Sequence, residues 1–362
     1  MFGAAVAAKG PLHNPNMDVE MAIPADIDGI SSLNFSPNGN FIVATSWNSS
    51  AYLWEYNAQG QTQAKNQTSA GSPLLCSVWR PDGAGVFIGG CDKAVRLWDL
   101  ATNSSTQVAA HDAPVRHVAY SPHLNMLITG SWDKTVRYWD CRSPVAAHVT
   151  TLQERVYAMD LQSPCLVVGT ADRNLIVYDI TKPQAPLKTI QSQLKFQTRC
   201  VSVFPDKTGF LVGSIEGRVA VAHMDDAVGT TKNFTFKCHR DVPAAPAPSD
   251  IFAVNSINFH PGFGTFATAG SDGSYNFWDK DSKQRLKAQA RSMYGPGVGA
   301  PITAAGFSRD GALYGYAISY DWSRGYAEYN PANMKSYILL HVCKEDEVKA
   351  KPPKAAVAGA RK

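Results

Sequence analysis

One phrase recurs along this chain, and its period constrains the fold more than any other property. An apolar or aromatic residue and a proline precede a strand-like run. A turn of small residues with an aspartate follows, and then an alternating run ending in Trp-Asp. The clearest copy is Ala119-Tyr120-Ser121-Pro122, then Ile128-Thr129-Gly130-Ser131-Trp132-Asp133-Lys134, then Val136-Arg137-Tyr138-Trp139-Asp140. Earlier copies run from Asn34-Phe35-Ser36-Pro37 to Leu53-Trp54-Glu55, and from Val78-Trp79-Arg80-Pro81 to Leu97-Trp98-Asp99. Later copies end at Val177-Tyr178-Asp179, Val221-Ala222-His223 and Phe277-Trp278-Asp279.

The strand-end positions 54, 98, 139, 178, 222 and 278 lie 44, 41, 39, 44 and 56 residues apart. A period of about 40–45 residues with period-two alternation reads as four-stranded propeller blades. Ile302–Ser308, Leu313–Ser319 and Ser336–Val342 supply three strands of a seventh blade. Its outer strand is missing at that end, and Met17–Met21 is the segment that would fill it. The expected fold is therefore an all-β, seven-bladed WD-repeat β-propeller closed by an N-terminal strand. Sharing one blade between the ends removes the open sheet edges. The expected organisation is a flexible end over residues 1–16, the propeller over 17–345, and a disordered basic tail over 346–362.

The 56-residue interval marks an insertion around Asp225–Asp250, including the Pro/Ala-rich run 242–248. That run reads as a mobile loop, and Gly295–Gly299 as a second flexible connection.

Composition excludes more than it assigns. Hydrophobic residues make up 44% and the net charge is +4, which suits a large core and proves nothing about nucleic acid. No run of about 18 apolar residues appears, so no membrane insertion is expected. The seven cysteines include no CxxC pair and read as reduced thiols. Cys238-His239 has no second pair at finger spacing, so neither a metal nor a cofactor is expected. No GxxxxGK[ST], HExxH or GxSxG motif occurs, and an enzyme is not expected. His111, Ser131, Asp133 and Trp139 resemble a catalytic triad plus a tryptophan. They match the His–Ser–Asp–Trp network of WD repeats, which ties blade loops together.

Blades 5 and 6 carry the unusual surface pattern. Phe234 and Phe236 are two apart on an outer strand and share one face, while Thr235 and Lys237 share the other. That strand would anchor a partner side chain, or simply pack on its neighbour. Trp278, Lys280, Lys283 and Arg285 follow one another through the end of a strand and its turn. They would border the Phe strand as a basic groove for an acidic peptide or single-stranded nucleic acid, or form a solvated hairpin turn. With the four strands of each blade lettered a to d from the inside outward, Arg218 and Arg240 fall on the face of the b–c and d–a loops. They would clamp carboxylates, or pair with a neighbouring aspartate.

Four phrases carry a closer resemblance: Gly213–Val221, Asn233–Arg240, Phe277–Asp281 and Ser319–Gly325. Over about residues 14–345 the chain resembles the nuclear mRNA export factor family of WD-repeat propellers. The resemblance implies a non-enzymatic scaffold at the nuclear pore, shuttling to the cytoplasm. Its implied partner is a GLFG-repeat nucleoporin, bound through that protein's acidic GLEBS motif. It implies Arg218 as the clamp for glutamates, with Arg240 a weaker candidate. It also implies Phe234, Phe236, Lys237, Trp278, Lys280, Lys283 and Arg285 as a groove for RNA or acidic peptides. Lys283 stands where the family has Arg, and Arg285 where it has Lys, so charge is kept while bidentate geometry changes. A sister family of mitotic-checkpoint propellers, which bind checkpoint kinases, shares the Glu-Gly-Arg and Lys-Cys-His-Arg phrases but lacks the others. A mitotic-spindle role and contact with messenger ribonucleoprotein belong to the same expectation. A generic propeller scaffold and a direct nucleic-acid binder remain as alternatives.

Overall fold

Strand residues of a blade face neighbouring blades on both sides, so their side chains are apolar in both directions. Strand b of blade 2, Gly85–Gly90, is buried at every position. So are strand b of blade 4, Cys165–Thr170, and strand b of blade 5, Gly209–Ser214. The computed structural model describes residues 12–241 and 248–351. It contains seven four-stranded antiparallel sheets arranged as a ring, a β-propeller. Strand a lines the central channel and strand d lies outermost. The d strands are mostly exposed on one side, as the alternating pattern of Lys188–Gln191 shows.

Blade 7 closes the ring as expected. Its own chain gives Ile302–Phe307, Leu313–Ile318 and Tyr337–Val342, and Val19–Glu20 pairs antiparallel with the last of these. The amide of Met21 continues the ladder to the carbonyl of Ile338 at 2.9 Å.

A buried polar cluster locks this seam. Asp18 accepts hydrogen bonds from Tyr275 (2.8 Å) and Tyr316 (2.7 Å), and its other oxygen lies 2.7 Å from His341 Nδ1. His341 Nε2 meets Glu347 at 3.0 Å. Burial works against charge on His341, but the hydrogen bonds and charges of Asp18 and Glu347 outweigh it and raise its pKa.

The ends are more ordered than expected from sequence. His13 bridges to Met293, and Asn16 exchanges hydrogen bonds with Ala290, so structure begins before residue 17. At the other end Glu345–Val348 is a helical turn that buries Glu347 and Val348, so the basic tail does not start at 346. Residues 1–11 and 352–362 lie outside the described residues.

Part of the insertion is also structured. Asp226–Lys232 forms a seven-residue helix between strands c and d of blade 5, capped by Asp225 Oδ1 on the amide of Ala227 at 2.8 Å. The sequence reading missed it because a stretch this short has no helical apolar stripe to detect. The Pro/Ala run lies outside the described residues over 242–247. The glycine-rich 295–299 stretch is a small ribbon, with Met293–Gly295 paired to Val298–Gly299. Among the described residues, no helix is long and apolar enough to cross a membrane.

Candidate functional site

The His–Asp–Trp network forms, with one member exchanged. His111 Nδ1 lies 2.8 Å from Asp133, and Nε2 lies 2.6 Å from the hydroxyl of Thr129. Trp139 Nε1 donates to that same Thr129 hydroxyl at 2.9 Å. Ser131, the residue expected from sequence, instead donates to the carbonyls of Ala113 and Pro114 and accepts the amide of Asp133. Thr129 and Ser131 are two apart and share a face. Of the two, Thr129 is the one hydrogen-bonded to both His111 and Trp139. Burial opposes charge on Asp133, but hydrogen bonds from His111 and Thr135 hold its carboxyl well below the usual range. The group is saturated from within and offers no atom to a substrate.

A second copy joins blades 5 and 6. His239 Nδ1 lies 2.8 Å from Asp272, and Nε2 lies 3.0 Å from Thr268, whose hydroxyl accepts Trp278 Nε1 at 2.9 Å. Sequence reading assigned none of this, although Asp272 and Trp278 keep the spacing of Asp133 and Trp139. The insertion hid the match by lengthening the distance from His239. Trp278 is therefore a structural anchor as well as a groove aromatic. Among the described residues, no group of three or more His, Cys, Asp or Glu could hold a metal ion.

The aromatic-basic groove assembles between strand d of blade 5, Phe234–Lys237, and the c–d hairpin of blade 6. Phe236 packs on Trp278 with ring centroids 4.7 Å apart, and Phe234 follows at 6.0 Å. Lys283 Nζ stands 4.8 Å above the Phe234 ring, and the Arg285 guanidinium 5.8 Å from the Trp278 ring. Cations over ring faces at these distances gain from the ring quadrupole, and half-buried rings keep a face for a ligand.

Two expected groove residues are placed differently. Lys280 is largely buried, over Phe204 at 5.1 Å and paired with Asp281 at 2.9 Å, so its charge is already engaged. Lys237 points to the face opposite the phenylalanines and sits in register with Arg218. Cross-strand partners share a face, so Lys237 joins the arginine edge instead of the groove.

That edge is the b–c and d–a end of blade 5. Gly217 makes it possible: its φ is +59°, and a Cβ there would meet the carbonyl oxygen of His239 at 2.9 Å. Arg240 donates to the carbonyls of Glu216 at 2.6 Å and Gly217 at 3.3 Å, so it braces the turn. Arg218 is half-exposed and makes no hydrogen bond among the described residues. It forms a loose ion pair with Glu216 Oε2 at 3.7 Å, and the other oxygen of that carboxylate accepts the amide of Lys195. Arg218 and Lys237 are thus paired cations at an open edge.

Seven blades, two histidine-centred loop networks and a basic rim define a WD-repeat propeller. The WD domain, G-beta repeat signature matches residues 23–55, 64–99, 103–140 and 233–279. The chain is 51% identical over 355 residues to "Protein RAE1" of Arabidopsis thaliana, covering 97% of each. It is 46% identical to "mRNA export factor GLE2" of Chaetomium thermophilum, covering 95% of this chain and 94% of that one. It is 44% identical to "Poly(A)+ RNA export protein" of Schizosaccharomyces pombe, covering 93% and 94%. The chain belongs to this family of WD-repeat mRNA export factors.

Proposed function

We propose that the chain serves export of messenger RNA as an adaptor at the nuclear pore. In this reading the Arg218 edge of blade 5 clamps glutamates of an acidic nucleoporin segment of the GLEBS type. The groove of Phe234, Phe236, Trp278, Lys283 and Arg285 stays free for RNA or an acidic peptide tail. The observation that carries the reading is the contrast between the two arginines. Arg240 has spent donors on the turn, whereas Arg218 is held at the edge with its guanidinium open for a bidentate carboxylate. The names of the relatives support the export role.

Calorimetry with a synthetic GLEBS peptide tests it. Arg218→Glu is expected to weaken binding at least tenfold while the protein melts as before, because truncating or reversing a charge-paired contact costs about 2–5 kcal/mol. Unchanged affinity would remove Arg218 from the interface.

A further inference from the structure

The innermost strands of all seven blades share one irregularity. The register between strands a and b slips by one residue near the b–c face. The extra residues are Ser31, Leu75, Arg116, Tyr157, Arg199, Asn255 and Thr303. A bulge takes its residue out of the ladder and re-aims the side chain. Five of the seven, Arg116 and Arg199 among them, line a vestibule of about 220 Å³ at the b–c mouth of the channel. Arg116, Arg199 and Asn255 also line the channel behind it, about 590 Å³. The bulges thus form a collar at the neck between the two spaces.

This collar holds two guanidiniums and no carboxylate. Arg199 is fixed, with Nε and Nη2 donating to Asn255 Oδ1 at 3.2 and 3.0 Å. Asn255 is turned for that task by donating to Ser271 Oγ at 3.0 Å and the carbonyl of Ile302 at 2.8 Å. Arg116 makes no hydrogen bond or ion pair among the described residues. The carboxylates that line the two spaces are Asp160 and Asp321. Asp160 accepts the amide of Val203 at 2.7 Å, and Asp321 accepts Ser271 at 2.5 Å and Ser323 at 2.7 Å. Burial, and then the neighbouring Arg199 charge, both disfavour the Arg116 guanidinium. An anion between the two arginines would relieve both effects.

Aromatic residues stand around the mouth. Trp47, Trp132, Tyr320 and Trp322 line the vestibule, and Trp47 and Trp322 are 45% and 52% exposed. Trp322 holds φ at +59°, a strained conformation for a bulky residue. Partly exposed indoles lining the same space as two guanidiniums suit a ligand with both a phosphate and a flat ring.

We propose that Arg116 and Arg199 bind the phosphate of a nucleotide whose base stacks on Trp322 at the channel mouth. The nucleotide is either free or the phosphorylated end of a single strand. This site is separate from the groove of blades 5 and 6 and does not depend on the export reading.

Adenosine 5′-monophosphate is titrated into the full chain and read by tryptophan fluorescence and calorimetry, beside adenosine, inorganic phosphate and an acidic peptide. The expected result is saturable quenching by the nucleotide, with adenosine and phosphate each at least tenfold weaker. Arg116→Gln and Arg199→Gln each lower affinity at least tenfold. Arg116→Gln leaves the melting temperature unchanged or raised, since it removes an unpaired charge. Trp322→Leu, on the exposed rim, gives a second variant that does not touch the collar and also weakens the nucleotide. A 5′-phosphorylated oligoadenylate binding more tightly than its 5′-hydroxyl form assigns the strand end. Nucleotide binding with neither oligomer assigns the free form. No saturable quenching at millimolar nucleotide, equal affinity in the arginine variants, or Arg116-dependent binding of the acidic peptide alone overturns the proposal.

Discussion

The seam of blade 7 and the flank of blades 5 and 6 use the same materials, aromatic rings beside charged groups, but they differ in saturation. At the seam Asp18 takes two tyrosine hydroxyls and a histidine, and Glu347 takes that histidine's other nitrogen. On the flank Lys283 and Arg285 stand over Phe234 and Trp278, and neither forms an ion pair among the described residues. A cluster whose donors and acceptors are all matched inside the protein holds the fold together. A cluster left with open cations and half-bare rings keeps contacts that a partner could take up. The same distinction separates Arg240 from Arg218 within one turn.

Four measurements test that difference in saturation. Deleting residues 1–21 removes the closing strand and Asp18, and it is expected to abolish the cooperative melt seen by circular dichroism. A truncated chain that melts normally would show that closure does not depend on the N-terminal strand. Thr129→Val should cost about 2–3 kcal/mol in denaturant unfolding, since it leaves Trp139 Nε1 buried without its acceptor and His111 Nε2 buried without its hydroxyl partner. A loss below about 0.5 kcal/mol would mean that the network is decorative.

The seam should also respond to pH. The raised His341 pKa contributes stability that is present below its unfolded value of about 6.5 and lost as pH rises through the folded value. Burial opposes charge on Glu347, but its hydrogen bonds from His341 and the Lys344 amide lower its pKa. Its contribution is therefore present above the unfolded value of 4.5 and lost as pH falls through the folded one. The melting temperature should therefore fall on either side of a maximum between these values. His341→Gln should flatten the alkaline side, and an unaltered profile would clear this residue of the role. On the flank, Lys283→Ala with Arg285→Ala should leave the melting temperature within about 2 °C. It should reduce the salt slope of single-stranded RNA binding by about 1.4, two phosphate contacts at about 0.7 each. An unchanged slope would mean that RNA, if bound, lies elsewhere.

The repeat signature covers only part of the ring that the structure shows. Blades 4 and 5 end strand c in Tyr178-Asp179 and Ala222-His223, lacking the tryptophan, and blade 7 borrows its outer strand. They are blades nonetheless, because the wholly buried runs Cys165–Thr170 and Gly209–Ser214 survive when the signature residues do not. Those runs bury each sheet against its neighbours on both faces, and the tryptophan only adds a tie.

What the sequence alone determined follows from local periodicity. It was enough for the blade count, for closure by residues 17–21, and for the side of strand d on which Phe234 and Phe236 lie. Period-two alternation and a repeat of fixed length are properties of the chain itself. Tertiary structure decided which hydroxyl sits under Trp139, which arginine keeps free donors, that Lys237 joins Arg218, and that seven bulges converge on one collar. Each of those depends on which partners arrive from residues distant in sequence, and hydrogen-bond saturation is settled only when they have arrived.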